Sequence, residues 1–216
     1  MNINYFDCGF PYIIIDNFYN KNELDLIWKE LDFLLDGDKF DGALSTNTAT
    51  NNGKLASNKK GLFLDLVYPN RKISNILTCN RKLFNNIRSI CDSHESWWFR
   101  YLNGNYDETI LSYYEDENYY DAHTDRAIMT SLTWLYKEPK KFQGGDLYFK
   151  SGIDNFSDYL KKVEVKNNRL IMFPSMIPHQ VDSVRMDSEY KDKGLGRFVI
   201  TQLINHTICD STVTTT

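Results

Sequence analysis

Apolar residues recur at helical spacing in the first third of the chain, and after that they come in short runs separated by turn residues. Residues 11–15 (PYIII) form a β-branched run that predicts a strand. Asn20 followed by Glu23 has the form of a capping box. Leu24, Ile27, Trp28, Leu31 and Leu34 then give a helix one apolar face, ending before Asp36-Gly37-Asp38. Ile76, Leu83, Phe84, Ile87 and Ile90 predict a second helix over 74–93, with a strand over 62–67 before it. From residue 97 the texture is that of short strands, over 97–102, 109–114, 128–136, 146–149, 163–165, 169–173, 180–184 and 197–204. Many short strands in sequence suggest a sandwich or jelly roll, with the N-terminal helices packed on one face of a sheet. The expected class is therefore mainly β with N-terminal helices (α+β).

No repeat or composition break divides the chain, so residues 1–216 read as a single domain. Residues 36–61 are rich in Gly, Asn, Ser, Thr and Lys and read as a flexible loop, either a plain surface excursion or a substrate lid. Residues 211–216 read as a frayed tail.

Composition changes this picture little. Hydrophobic residues make up 42% and charged residues 25%, an ordinary globular balance, and 14 Tyr and 13 Phe favour pleated, half-buried surfaces. The net charge of −4 lacks the basic bias of a nucleic-acid binder, so no nucleic-acid partner is expected. The lysine pairs Lys59-Lys60, Lys140-Lys141 and Lys161-Lys162 read as solvated loop charges. Cys8, Cys79, Cys91 and Cys209 form no C-x-x-C pair, which suits free thiols in a reducing compartment. With no signal-peptide pattern and no long apolar run, the reading is a soluble cytoplasmic protein with no membrane partner.

The candidate chemistry lies in His123-x-Asp125 and the later His179 and Arg197. Two imidazoles and a carboxylate are the ligand set of a non-heme Fe(II) facial triad, which leaves coordination positions open. Residues two apart at a strand end can project to one face, so a single metal can take both His123 and Asp125. Arg197 and Thr201 also share a face, being four apart on a predicted strand. An arginine facing a barrel interior needs an anion, either a ligand carboxylate or a protein Asp or Glu.

In this pattern the sequence resembles the prolyl 4-hydroxylase-like branch of the Fe(II)/2-oxoglutarate-dependent oxygenases. The motif Y-x-x-G-x-x-Y-x-x-H-x-D appears over 114–125, with Tyr114, Tyr120, His123 and Asp125 matching and Glu117 replacing the glycine. Gly144-Gly145-Asp146-Leu147, Phe173-Pro174-Ser175, His179-Gln180-Val181 and Arg197-Phe198-Val199-Ile200-Thr201 match the later motifs, and the likeness spans about 11–205. The resemblance implies a double-stranded β-helix (a jelly roll) with iron on His123, Asp125 and His179. It implies Arg197 on the distal carboxylate of 2-oxoglutarate, with Tyr114 and Thr201 as neighbouring donors. Tyr113 is the alternative to Tyr114 if the register slips by one, and Arg185 the alternative to Arg197, though Glu189 stands where a threonine would be needed. Trp134 takes a place where many members carry tyrosine, and an indole donates one hydrogen bond and accepts none.

The implied cofactors are Fe(II), 2-oxoglutarate as co-substrate, O2 and ascorbate as reductant. The implied reaction is hydroxylation of a prolyl residue or a small amino-acid-like substrate, with release of succinate and CO2. Retention of Asp125 argues for hydroxylation over halogenation. The absence of a second arginine over 198–205 argues against nucleic-acid demethylation. A non-catalytic jelly-roll binding module is the alternative from another class.

Overall fold

The protein's computed structural model describes residues 1–36, 39–41, 50–51, 54–92, 94–100, 104–154 and 156–206. The first helix, Lys21–Leu35, starts at the expected capping box: Glu23 N donates to Asn20 Oδ1 at 3.0 Å and Asn20 N to Glu23 Oε2 at 2.7 Å. The long helix Asn75–Cys91 starts at Ser74, whose Oγ accepts from Leu77 N. The buried Glu30 carboxylate ties the two together, accepting from Ser74 Oγ at 2.7 Å and Ile76 N at 2.9 Å.

Two antiparallel sheets form the body. The major sheet runs, in spatial order, Asn2–Asp7, Pro11–Asp16, Arg169–Pro174, Met129–Leu135, Arg197–Asn205, Tyr106–Tyr114 and Lys60–Phe63. The minor sheet runs Tyr159–Val163, Leu147–Lys150, His179–Val181, Tyr119–His123 and Ser57–Asn58. Alternation along the major strands separates two cores. Ile13, Ile15, Leu170, Met172, Tyr113, Phe198 and Ile200 pack with the helices. Tyr12, Ile14, Ile171, Phe173, Tyr114, Trp134 and Val199 face the minor sheet, against Leu147, Phe149, Val163 and Val181. Both faces of the major sheet are covered, so its central strands read as apolar runs such as PYIII. The result is three layers, helices on a jelly roll, with the second core between the sheets.

Several local expectations change. The expected strand over 62–67 divides into the strand Lys60–Phe63 and a helical turn, Leu64–Val67. The expected strand over 97–102 begins instead as a helical turn, Trp97–Arg100, at Ser96, whose Oγ accepts from Trp98 N; residues 101–103 lie outside the described residues. The expected strand over 180–184 splits at Asp182-Ser183 into His179–Val181 and Val184–Met186, the latter pairing with Phe142–Gly144.

The expected loop over 36–61 is only partly loop. Thr50–Asn51 pairs with Lys54–Leu55, Ser57–Asn58 pairs with Tyr119 and Tyr120, and Lys60 opens an edge strand. Its polar composition hid these pairings, because the partners that recruit the strands lie far along the chain. Residues 37–38, 42–49 and 52–53 of that stretch, and the tail 211–216, lie outside the described residues. Cys8, Cys79 and Cys91 are free thiols. No helix among the described residues is long and apolar enough to cross a membrane.

Candidate metal centre and co-substrate pocket

His123 ends the strand Tyr119–His123 and His179 begins the strand His179–Val181; the two residues pair across the minor sheet. Asp125 lies just past the first strand, held by its backbone N–H donating to Ser175 O at 3.0 Å. Pairing and anchor bring together the three side chains picked out by spacing. One ligand atom from each of His123, Asp125 and His179 lies within 4.8 Å of the others. Asp125 Oδ1 is 3.7 Å from His123 Nε2, and Oδ2 is 3.5 Å from His179 Nε2.

The surrounding groups prepare each ligand atom. His123 Nδ1 meets Asp121 O at 2.7 Å and His179 Nδ1 meets Ile177 O at 2.9 Å. A carbonyl only accepts, so each Nδ1 carries the proton and each Nε2 keeps its lone pair for a metal. Burial first, and the neighbouring His179 second, push His123 down to about 3 against the opposing charge of Asp125, so its ring is neutral at physiological pH. Tyr120 stacks on the His123 ring at 3.7 Å, and Phe173 meets the His179 ring edge-on at 4.9 Å. Thr130 Oγ1 donates to Asp125 Oδ2 at 2.6 Å. With that proton committed, the Ser175 hydroxyl must donate to Thr130 Oγ1 at 2.7 Å. The carboxylate is thus oriented by a two-hydroxyl relay that sequence spacing did not reveal.

A cavity of about 320 Å³ opens on this cluster. Arg197, Tyr114, Val199 and Thr201 form part of its wall, their side chains sharing the inner face of two paired strands. Arg197 is fully buried, and none of its three guanidinium nitrogens has a hydrogen-bond partner among the described residues. Its guanidinium carbon lies 4.8 Å from the Tyr114 ring centre and 5.8 Å from that of Trp134. Burial pushes Arg197 down to about 10, with Tyr114 and Asp146 opposing, so it stays cationic at neutral pH. The buried Trp134 indole N–H likewise has no partner among the described residues.

The turn behind this arginine needs its glycines. Both adopt positive φ, and a Cβ on Gly145 would sit 3.1 Å from Arg197 Cδ, one on Gly144 2.3 Å from Ser183 O.

Buried donors aimed at no acceptor are costly unless a ligand supplies the acceptor. A fork of guanidinium donors on the cavity wall suits a carboxylate, and the neutral imidazoles with Asp125 suit a divalent metal. Residues 109–205 match the family model described as the 2OG-Fe(II) oxygenase superfamily. Residues 109–205 thus resemble a 2OG-Fe(II) oxygenase domain.

The oxygenase match takes in His123, Asp125, His179, Arg197, Tyr114, Trp134 and Thr201 and implies a dioxygenase that uses Fe(II), 2-oxoglutarate and O2. In fold, the protein resembles a prolyl-4-hydroxylase from Pseudomonas putida, with a TM-score of 0.58, 14% identity, and 93% of this chain and 95% of that one covered. It also resembles the viral collagen prolyl hydroxylase of Paramecium Bursaria Chlorella virus-1, solved as its 2OG complex, with a TM-score of 0.51, 15% identity, and 89% and 94% covered. At these identities the likeness concerns the fold alone. No curated protein matches the sequence.

The rival residues separate cleanly. Tyr113 points to the helices, donating to Glu115 Oε1 at 2.5 Å and accepting from Gly196 N at 3.1 Å, so Tyr114 is the inward tyrosine. Arg185 is exposed on the strand Val184–Met186 and lines a different, outer groove. Lys59 corrects its reading as a solvated loop charge: it is 8% exposed and lines the oxygenase cavity, with Nζ donating to Ser112 Oγ at 3.1 Å. The signal available was alternation, since the strand beginning at Lys60 turns its neighbour inward.

Proposed function

We propose that residues 1–216 act as one oxygenase domain that hydroxylates a prolyl residue in a peptide, or a small amino-acid-like substrate, with release of succinate and CO2. In this reading His123, Asp125 and His179 hold Fe(II). Arg197, helped by Tyr114, Trp134 and Thr201, grips the distal carboxylate of 2-oxoglutarate. Iron with its bound co-substrate supplies the O2 activation. The protein holds each Nε2 unprotonated, fixes the carboxylate of Asp125, neutralises one end of the co-substrate and keeps the reacting groups away from bulk water. The observation that carries this proposal is the buried guanidinium, without acceptors among the described residues, on the wall of the cavity that holds the triad. The prolyl part of the reading is supported by the names of the two solved neighbours, both prolyl hydroxylases.

The test is succinate formation from 2-oxoglutarate with Fe(II), measured across prolyl peptides and free amino acids, with mass analysis for a gain of one oxygen. Iron bound without any consumption of 2-oxoglutarate would point to a binding module instead. A quieter prediction concerns the relay behind Asp125. Thr130→Val keeps the buried shape but removes the hydroxyl, and is expected to weaken Fe(II) binding by roughly 10–100-fold in a chelator competition. Unchanged affinity would show that the carboxylate needs no such support.

A further inference from the structure

We infer that Glu115 is a positioning residue for co-substrate binding: through the Tyr113 hydroxyl it latches the strap that leads into Arg197. The inference rests on the function proposed above. The strap, residues 187–196, links the outer strand Val184–Met186 to the major-sheet strand Arg197–Asn205. Beyond one 3-10 turn, Ser188–Tyr190, it joins no helix and no sheet, so discrete contacts hold it. Where it leaves the outer strand it is tied to Asp116, which accepts from Met186 N at 2.8 Å and pairs with Lys191 Nζ at 2.6 Å. Its second half is tied to Glu115. The Glu115 carboxylate accepts from Asp192 N at 3.1 and 3.3 Å and from the Tyr113 hydroxyl at 2.5 Å. With its proton given to Glu115, the Tyr113 oxygen accepts from Gly196 N at 3.1 Å in a buried bond.

Gly196 directly precedes Arg197, so this latch fixes where the arginine's strand begins. The fit is close: a Cβ on Gly196 would sit 2.2 Å from Tyr114 O and 3.1 Å from Tyr113 Cε2. The two tyrosines act from opposite faces. Tyr113 pairs with Phe198, the rings 4.5 Å apart on the helix side, and holds the backbone. Tyr114 pairs with Arg197 and faces its guanidinium in the cavity. Glu115 is bonded on the helix side, so it acts on Arg197 through the backbone. Arg197 needs that support. Its guanidinium has no hydrogen-bond partner among the described residues, so in the apoprotein no bond of its own places the fork. What aims it is the start of its strand and the close pass over Gly145, where a Cβ would sit 3.1 Å from Arg197 Cδ. A bidentate grip on a carboxylate tolerates little displacement, and a shift of about 1 Å can cost roughly a hundredfold.

Glu115→Ala is expected to weaken 2-oxoglutarate binding at least about tenfold in anaerobic calorimetric titration of the Fe(II)-loaded protein, with Fe(II) affinity unchanged in chelator competition. Glu115→Gln keeps an oxygen that both bonds can share and is expected to retain most of the affinity. Tyr113→Phe cuts the same link one step nearer Gly196. It is expected to match Glu115→Ala, and it carries the test if Glu115→Ala does not fold. The double variant is expected to bind no more weakly than the weaker single one, because both changes break one chain of bonds. In the apoprotein, hydrogen exchange at the Gly196 amide is expected to speed up in Glu115→Ala relative to amides of the central strands. Asp116→Ala frees the other end of the strap and is expected to leave 2-oxoglutarate affinity at its wild-type value. The proposal is overturned if Glu115→Ala binds 2-oxoglutarate as tightly as wild type or leaves Gly196 exchange unchanged. It is equally overturned if Glu115→Gln is as weak as Glu115→Ala, if Fe(II) affinity falls alongside, or if Asp116→Ala has the same effect. Arg197-dependent 2-oxoglutarate binding in the wild type confines any such failure to Glu115; its absence there defeats the proposed function as well.

Discussion

Replacing Arg197 with alanine is expected to raise the 2-oxoglutarate KM by roughly a hundredfold or more while leaving Fe(II) affinity close to wild type. Truncating one partner of a buried, hydrogen-bonded charge pair costs about 2–5 kcal/mol, and each 1.4 kcal/mol is a factor of ten. Arg197→Lys should fall between, because it keeps the charge but loses the fork that grips both oxygens of a carboxylate. The apoprotein should respond in the opposite sense. Without a ligand the guanidinium is buried with no acceptor among the described residues, so Arg197→Met should leave the melting temperature of the apoprotein unchanged or raised. It should also cancel the stabilisation that 2-oxoglutarate gives the wild type. An unchanged KM in Arg197→Ala, or a raised one in the exposed Arg185→Ala, would move the anchor elsewhere.

What the sequence revealed follows from which signals are local. Alternation with period two put Arg197 and Thr201 on one face, and the residues between them divide accordingly, Val199 into the inner core and Phe198 and Ile200 into the core against the helices. The same rule puts Tyr113 and Tyr114 on opposite faces without saying which is inward; the pairing of Tyr114 with Arg197 decides that. His123, Asp125 and His179 were legible because few side-chain types bind metals and their order along the chain is distinctive. The relay through Thr130 and Ser175 was not, because hydroxyl residues are common and nothing in their spacing links one strand's threonine to another segment's serine. Lys59 was missed for a related reason. A lysine pair in a polar stretch is ordinarily solvated, and the alternation that turns this one inward shows only once the pairings on either side of it, Ser57–Asn58 with Tyr120 and Tyr119 and Lys60 with Tyr113, are known. The turn at Trp97–Arg100 misled through its aromatic content, which favours strands until a capping serine and a docked face decide otherwise.

Loss of a histidine ligand should have the largest effect of all: His179→Ala is expected to abolish measurable Fe(II) binding and 2-oxoglutarate turnover together. With one imidazole gone, His123 and Asp125 remain, and two protein ligands seldom retain a divalent ion against water. The side chain has a second role that complicates the reading. It is 3% exposed, packs edge-on against Phe173 and donates to Ile177 O, so its removal leaves a void and a carbonyl without its donor. A stability loss of about 2–3 kcal/mol should accompany the loss of iron. His123→Ala separates the two roles. Its side chain is 19% exposed, rests mainly on Tyr120 and gives up only an exposed bond to Asp121 O, so it should lose iron as completely with a smaller fall in melting temperature. Turnover that survives in either soluble, folded variant would remove that imidazole from the metal site.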